Sequence, residues 1–326
     1  MTTPATAQSG APTGGDQTPG SMGSSRRLGD RIFSGTATAS GILILVTLAA
    51  VAAFLLVEGF PALVAPAEDI PGEQGFFSYV APLLFGTVLA ATIALVVATP
   101  LSVGIALFIS HYAPRRLAQF LGYLVDLLAA VPSVVYGLWG IFFLAPQMVP
   151  VYQWLENNLG FIPLFAGPTS ATGRTMLTAG LVLAVMILPI MTAVNREVFL
   201  QTPRLQEEAS LALGATRWEM IKMTVLPFGK SGVISGSMLG LGRALGETLA
   251  VAMVLSPADV ITGNLIGSVN SNTIAANIAL DFPESSGIAV NALIASGLVL
   301  FALTFAVNYA ARAIVARRRD FSGANA

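Results

Sequence analysis

The sequence predicts an all-α integral membrane protein with six transmembrane helices, and three observations carry that expectation. Of 326 residues, 55% are hydrophobic and only 10% charged, with a mean hydropathy of +0.76, which leaves more apolar surface than one water-soluble core can hide. Six runs, near residues 38–57, 82–109, 117–144, 176–194, 232–255 and 288–315, have about the length needed to cross the hydrocarbon of a bilayer. Helices are the expected form because lipid offers backbone groups no partner. Six spans place both termini on one side, and every Lys and Arg except Arg174 and Arg243 falls on that side. By the positive-inside rule that side is the cytoplasm.

Taken in chain order, residues 1–25 are rich in Gly, Ser, Thr, Pro and Ala, so a disordered cytoplasmic tail is expected over residues 1–30. Arg26, Arg27 and Arg31 precede a first run longer than a signal-peptide core, which predicts a retained helix and an outer loop over residues 31–80. A core then extends over residues 81–316, and residues 317–326 form a basic cytoplasmic tail. The outer loops carry Glu58, Glu68, Asp69, Glu73, Glu156, Asp259, Asp281 and Glu284. Residues 146–175 include Tyr152, Trp154 and Phe161, which suits a short interfacial helix, as an anchor or a docking surface. Residues 256–287 are too polar to span and too apolar for a free linker, and they read as an outer lid.

The third run contains Pro132 and Ser133, which loosen a helix there; freed backbone or the Ser133 hydroxyl lines a path, or the kink serves packing. Asp126 lies about a third of the way along the same run; it partners Arg243, meets a base on a sister subunit, or faces a cavity. In the fifth run Gly232, Gly236 and Gly240 recur every fourth residue and permit close helix contact. Arg243 lies in that run, where a guanidinium costs about 2.5 to 3.5 kcal/mol on insertion scales. Glu247 follows four residues on, so both project from the face that holds Ser235 and Leu239. Either the two form a local salt bridge, or Arg243 offers forked donors to an oxyanion with Glu247 holding it in place.

The longest charged loop, residues 195–230, separates the fourth and fifth runs. Thr202 before Pro203 predicts a short helix to about residue 213, ended by Gly214 at positive φ; Thr216 then caps a second helix to about Thr224. Glu207 and Glu208 supply charge to the resulting knob, and Trp218 and Met220 supply apolar contact. The same residues read as an ordinary amphipathic interfacial loop. Gly229-Lys230-Ser231 ends like a phosphate-binding loop, but Thr224 stands where that motif needs glycine, so ATP does not bind by that route. His111, beside Arg115 and Arg116, reads as a surface residue; with no second His and no Cys there is no metal site, and no disulfide.

Glu208, Ala209, Gly214, Leu226 and Pro227 match the EAA loop by which ABC-transporter permeases grip their ATPase, with departures at Ser210 and Thr224. Residues 240–248, Gly-Leu-Gly-Arg-Ala-Leu-Gly-Glu-Thr, and residues 130–138, Ala-Val-Pro-Ser-Val-Val-Tyr-Gly-Leu, resemble the C-type permeases of phosphate-specific ABC importers. The resemblance, over residues 38–316, implies the MetI-like importer permease fold and a phosphate pathway through Arg243 and Glu247, to which the reading of the residues adds Ser133 and Asp126. It implies ATPase coupling through Glu208, Ala209, Gly214, Leu226 and Pro227, with Glu207 as charge beside them. It further implies a homologous A-type permease, two copies of a cytoplasmic ATPase holding ATP and Mg, an extracytoplasmic phosphate-binding protein and inorganic phosphate as substrate. No cofactor is expected on this chain, nor nucleic acid; lipid and the bacterial inner membrane are its surroundings. Rivals are a sulfate or molybdate permease, and an ATP-independent anion carrier or channel.

Overall fold

A computed structural model describes residues 28–319; the tail expected up to residue 27 and the last residues of the basic tail lie outside the described residues. The chain divides into two units that part between Val51 and Ala52. The described part of the first unit is helical, the start of α1 (Leu28–Val64), and its large apolar residues, such as Leu45, are exposed.

The second unit holds the rest of α1 and a helical body. Its elements are α2 (Phe76–Leu107), α3 (Arg115–Ala129), α4 (Ser133–Trp139), α5 (Ala145–Leu159), α6 (Met176–Leu200), α7 (Arg204–Ala212), α8 (Arg217–Met220), α9 (Leu226–Leu245), α10 (Leu249–Val254), α11 (Ile274–Asp281) and α12 (Ile288–Arg319). Five helical stretches among the described residues are long and apolar enough to cross a membrane: Ile32–Val64, Phe76–Tyr112, Ser133–Leu159, Met176–Leu200 and Ile288–Ala313. The remaining expected run, residues 232–255, is α9 and α10 in series, interrupted at residues 246–248.

The third span is displaced from its expected place. Residues 117–144 do not form one helix: α3 ends at Ala129, and a new helix starts at Ser133 after Pro132. Proline lacks the amide that would bond to the preceding turn and pushes the residue before it out of helical conformation. The loosening expected at Pro132 and Ser133 is thus a full break. The membrane-length stretch continues instead through a wide π turn at Gly140–Leu144 into α5, despite Pro146 and Pro150. Tyr152 is therefore no interfacial anchor; it is fully buried, and its hydroxyl lies 2.6 Å from Thr178 Oγ1 on α6.

In lipid, close packing rather than water exclusion holds helices together. The core lies between α2 and α6, where Ala90, Ala94 and Ala98 recur on one face of α2 and are fully buried. The glycine stripe of α9 packs on α6: a Cβ at Gly240 would come within 2.7 Å of the Met191 sulfur, and one at Gly236 within 3.0 Å of Asn195 Oδ1.

Residues 256–287 plug the acidic end of the bundle rather than cover it as a lid. Two short strands, β1 (Pro257–Ala258) and β2 (Asn270–Ser271), pair in parallel. Asn270 is fully buried and its Oδ1 accepts from the Met176 amide at 2.9 Å; Asn277 donates to the Tyr79 hydroxyl at 2.7 Å, and the Ile274 amide donates to Thr87 Oγ1 at 3.0 Å. Side-chain amides and hydroxyls here supply the partners that irregular backbone needs away from water.

Candidate functional site

An open cleft of about 400 Å³ lies between α6, α9 and α12, lined by Ile190, Ser235, Met238, Leu239, Gly242, Arg243 and Asn308. Ser235, Leu239 and Arg243 stand four residues apart and share one face of α9, as the spacing requires. Arg243 is half-buried. A guanidinium in a cleft wall carries its charge without full desolvation, and its planar donors suit a tetrahedral oxyanion. Asn308 adds a polar group from α12 that motif reading missed; its signal was an amide deep in the last apolar run, which holds one other, Asn291, near its start.

Glu247 does not join this face. Helix α9 ends at Leu245 with Gly246 as its cap, so the four-residue spacing no longer places the carboxylate beside Arg243. Glu247 is buried, and its Oε1 accepts from the Ala250 amide at 3.1 Å, closing the first turn of α10. Among the described residues Arg243 and Glu247 form no salt bridge; the one carboxylate contact of a basic side chain is that of Glu207 with His111. Ser133, the first residue of α4, and Asp126, exposed on α3, do not line the cleft. Helix α3 instead meets α6 at Gly122, where the Arg196 guanidinium lies over the backbone and an added Cβ would come within 2.7 Å of Nη1.

A second group of candidates forms the knob between α6 and α9. Helix α7 starts after Pro203 with no side-chain cap; Thr202, expected as that cap, is buried with its hydroxyl unpartnered. Gly214 has φ of 89° and reverses the chain between α7 and α8, which side chains with a Cβ resist. Thr216 caps α8 and completes a capping box with Glu219. These bonds from the Thr216 amide and hydroxyl hold the Glu219 carboxyl below its ordinary range. The second helix does not stop near Thr224 but runs through a π turn (Ile221–Val225) into α9, so Leu226 and Pro227 form the first turn of that helix.

Glu208 and Ala209 are exposed, as are Leu205 (80%), Leu213 (90%) and Trp218 (57%), so the knob presents an apolar tip with charge beside it. Met220, expected at that tip, is buried against Ala106, Phe199 and Val225. Ser210 and Thr224, the two departures from the EAA pattern, lie with their hydroxyl oxygens 3.1 Å apart, so one hydrogen bond ties α7 to the π turn before α9.

Residues 98–320 match the family described as binding-protein-dependent transport system inner membrane component. The phosphate transport system permease protein PstC 2 of Mycobacterium tuberculosis is 48% identical over 300 residues, 88% of this chain and 92% of that protein. The phosphate transport system permease protein PstC of Mycobacterium leprae is 46% identical over 310 residues, 91% of this chain and 97% of that protein. Among solved structures, a bacterial ABC transporter involved in the import of the acidic polysaccharide alginate shares the fold at a TM-score of 0.59 and 15% identity, covering 88% of this chain and 96% of that one. The chain thus belongs to the family of binding-protein-dependent transport system inner membrane components, the permease subunits of ABC transporters.

Proposed function

We propose that this chain is the membrane-spanning permease subunit of an ATP-driven importer, and that it carries inorganic phosphate. The observation that carries the reading is the Arg243 cleft: three helices of a membrane bundle frame one guanidinium, in a chain about half identical to phosphate permeases. Phosphate near neutral pH is singly or doubly anionic. One fixed guanidinium lowers its barrier to entering the membrane, and a single such contact does not trap it.

A homologous permease of the A type closes the open side of the cleft, so the pathway forms between two subunits. Two copies of a cytoplasmic ATPase, holding ATP and Mg, grip the knob around Glu208 and its partner's counterpart. Leu205, Leu213 and Trp218 give that contact apolar area. An extracytoplasmic binding protein delivers phosphate to the acidic end of the bundle, and both chain termini lie in the cytoplasm of the bacterium.

The test is radiolabelled phosphate uptake, with sulfate as competitor, in cells lacking this chain and complemented with the wild type or with Arg243→Met. Phosphate-selective uptake that the substitution removes is the expected result. Uptake suppressed by sulfate or molybdate would assign another oxyanion, and uptake that persists without ATP hydrolysis would make the chain a carrier or channel.

A further inference from the structure

Sequence position alone made His111 a surface residue, but its side chain is only 9% exposed, and its Nε2 lies 3.5 Å from Glu207 Oε1 on α7. Its other nitrogen, Nδ1, lies 2.6 Å from Ser110 Oγ, whose single proton goes either to that nitrogen or to the Ala106 carbonyl at 2.8 Å. Both ring nitrogens are thus engaged, and the ring is fixed between the end of the second span and the knob. The backbone is built for this: α2 widens into a π turn over Phe108–Tyr112, the segment that holds both Ser110 and His111. One extra residue per turn re-aims the side chains it carries, and such turns cluster at functional sites.

The surroundings give the contact leverage. Directly before the π turn, Ala106 and Leu107 are buried with Phe199 of α6 and with Met220, Ile221 and Val225 at the foot of the knob. Glu207 faces inward while its neighbour Glu208 is exposed. One turn of α7 therefore carries a carboxylate toward its own bundle and another toward any partner. A push on the outer face of α7 reaches α2 through the Glu207–His111 pair, and α2 forms the core with α6.

We infer that His111 and Glu207 form a transmission brace, with His111 a positioning residue that conveys movement of the knob to α2. Glu207 is accordingly not an ATPase contact but the inner end of the coupling path. The inference rests on the proposed engagement of the knob by an ATPase.

The experiment uses the assembled complex of both permeases and the ATPase in proteoliposomes, recording phosphate uptake and ATP hydrolysis together, with amide exchange of α7 measured on the same samples. His111→Ala and Glu207→Ala should each lower uptake per ATP hydrolysed by about fivefold or more, the lower end of allosteric coupling, and speed exchange in α7. The double variant should be no worse than the poorer single one, since both remove the same link. His111→Gln, which keeps a donor for Glu207, should recover much of the loss. Should His111→Ala fail to assemble, Glu207→Ala by itself gives the comparison, because it removes the acceptor from a partly exposed position without opening a buried cavity.

An unchanged uptake per ATP in assembled single variants, or a double variant whose loss is the product of the two, would overturn the brace. Wild-type complex that takes up no phosphate on ATP hydrolysis fails the functional reading itself and removes this inference with it, whereas a working wild type with indifferent variants sinks the brace alone.

Discussion

Arg243 and Glu247 sit four residues apart, and the structure separates their roles, which a double substitution can test. Arg243 lines the cleft, whereas Glu247 bonds the Ala250 amide and no ion pair joins them. Arg243→Met removes a guanidinium whose insertion costs about 2.5 to 3.5 kcal/mol, so assembly should survive. Transport should not. If passing phosphate accepts even one charge-assisted bond from the guanidinium, worth about 2 kcal/mol, losing it slows passage roughly 30-fold. Glu247→Gln keeps an oxygen for the Ala250 amide, so its own cost should stay below the roughly 1 kcal/mol of a lost cap. Because the two groups are uncoupled, the losses in the double variant should multiply. The assay is phosphate uptake at equal amounts of assembled complex for wild type, both single variants and the double. Uptake restored in the double variant above that of Arg243→Met would show a mutual ion pair and refute the separation.

Other expectations follow from single contacts. Gly240→Ala should cost about 1 to 3 kcal/mol by overpacking against the buried Met191 sulfur, while Gly242→Ala, which meets nothing within 4 Å, should leave thermal unfolding of the detergent-solubilised complex unchanged or raised. Gly214→Ala strains a backbone at φ of 89° by about 1 kcal/mol; the expected loss is ATPase co-purification and uptake, with membrane insertion intact, and normal co-purification would count against the knob as the docking element. The Glu219 carboxyl is held below its ordinary range by Thr216, so the cap it completes is present at neutral pH and lost as the pH falls through that lowered value. Since the chain has no cysteine, a spin label at Arg217→Cys reports this alone: mobility should rise on acidification in the wild-type background, and an added Thr216→Ala should make it high at every pH.

Much of the site was legible because its signals are local. Gly214 at positive φ and Thr216 as a cap follow from the backbone preferences of those residues. The stripe of Gly232, Gly236 and Gly240 and the face shared by Ser235, Leu239 and Arg243 follow from helical periodicity, which holds as long as the helix does. That condition failed at Glu247, where the helix had already ended. At Pro132, where the reading loosened the helix, the chain breaks into two helices, and the span lies further along the chain than the apolar run suggested.

By itself the sequence determined the membrane class, the alternation of basic and acidic loops, the apolar runs and the knob between the fourth and fifth of them. Each depends on composition or on residues within a few positions of one another, where propensity and hydropathy act. Only the tertiary structure decided that Glu207 turns inward to His111 and that Asn308 joins Arg243. It also decided that the asparagine-rich segment closes the end of the bundle. Those partners lie far apart along the chain, and which of them meet is set by how whole helices pack, by π turns that rotate side chains, and by the need of every buried polar group for a partner.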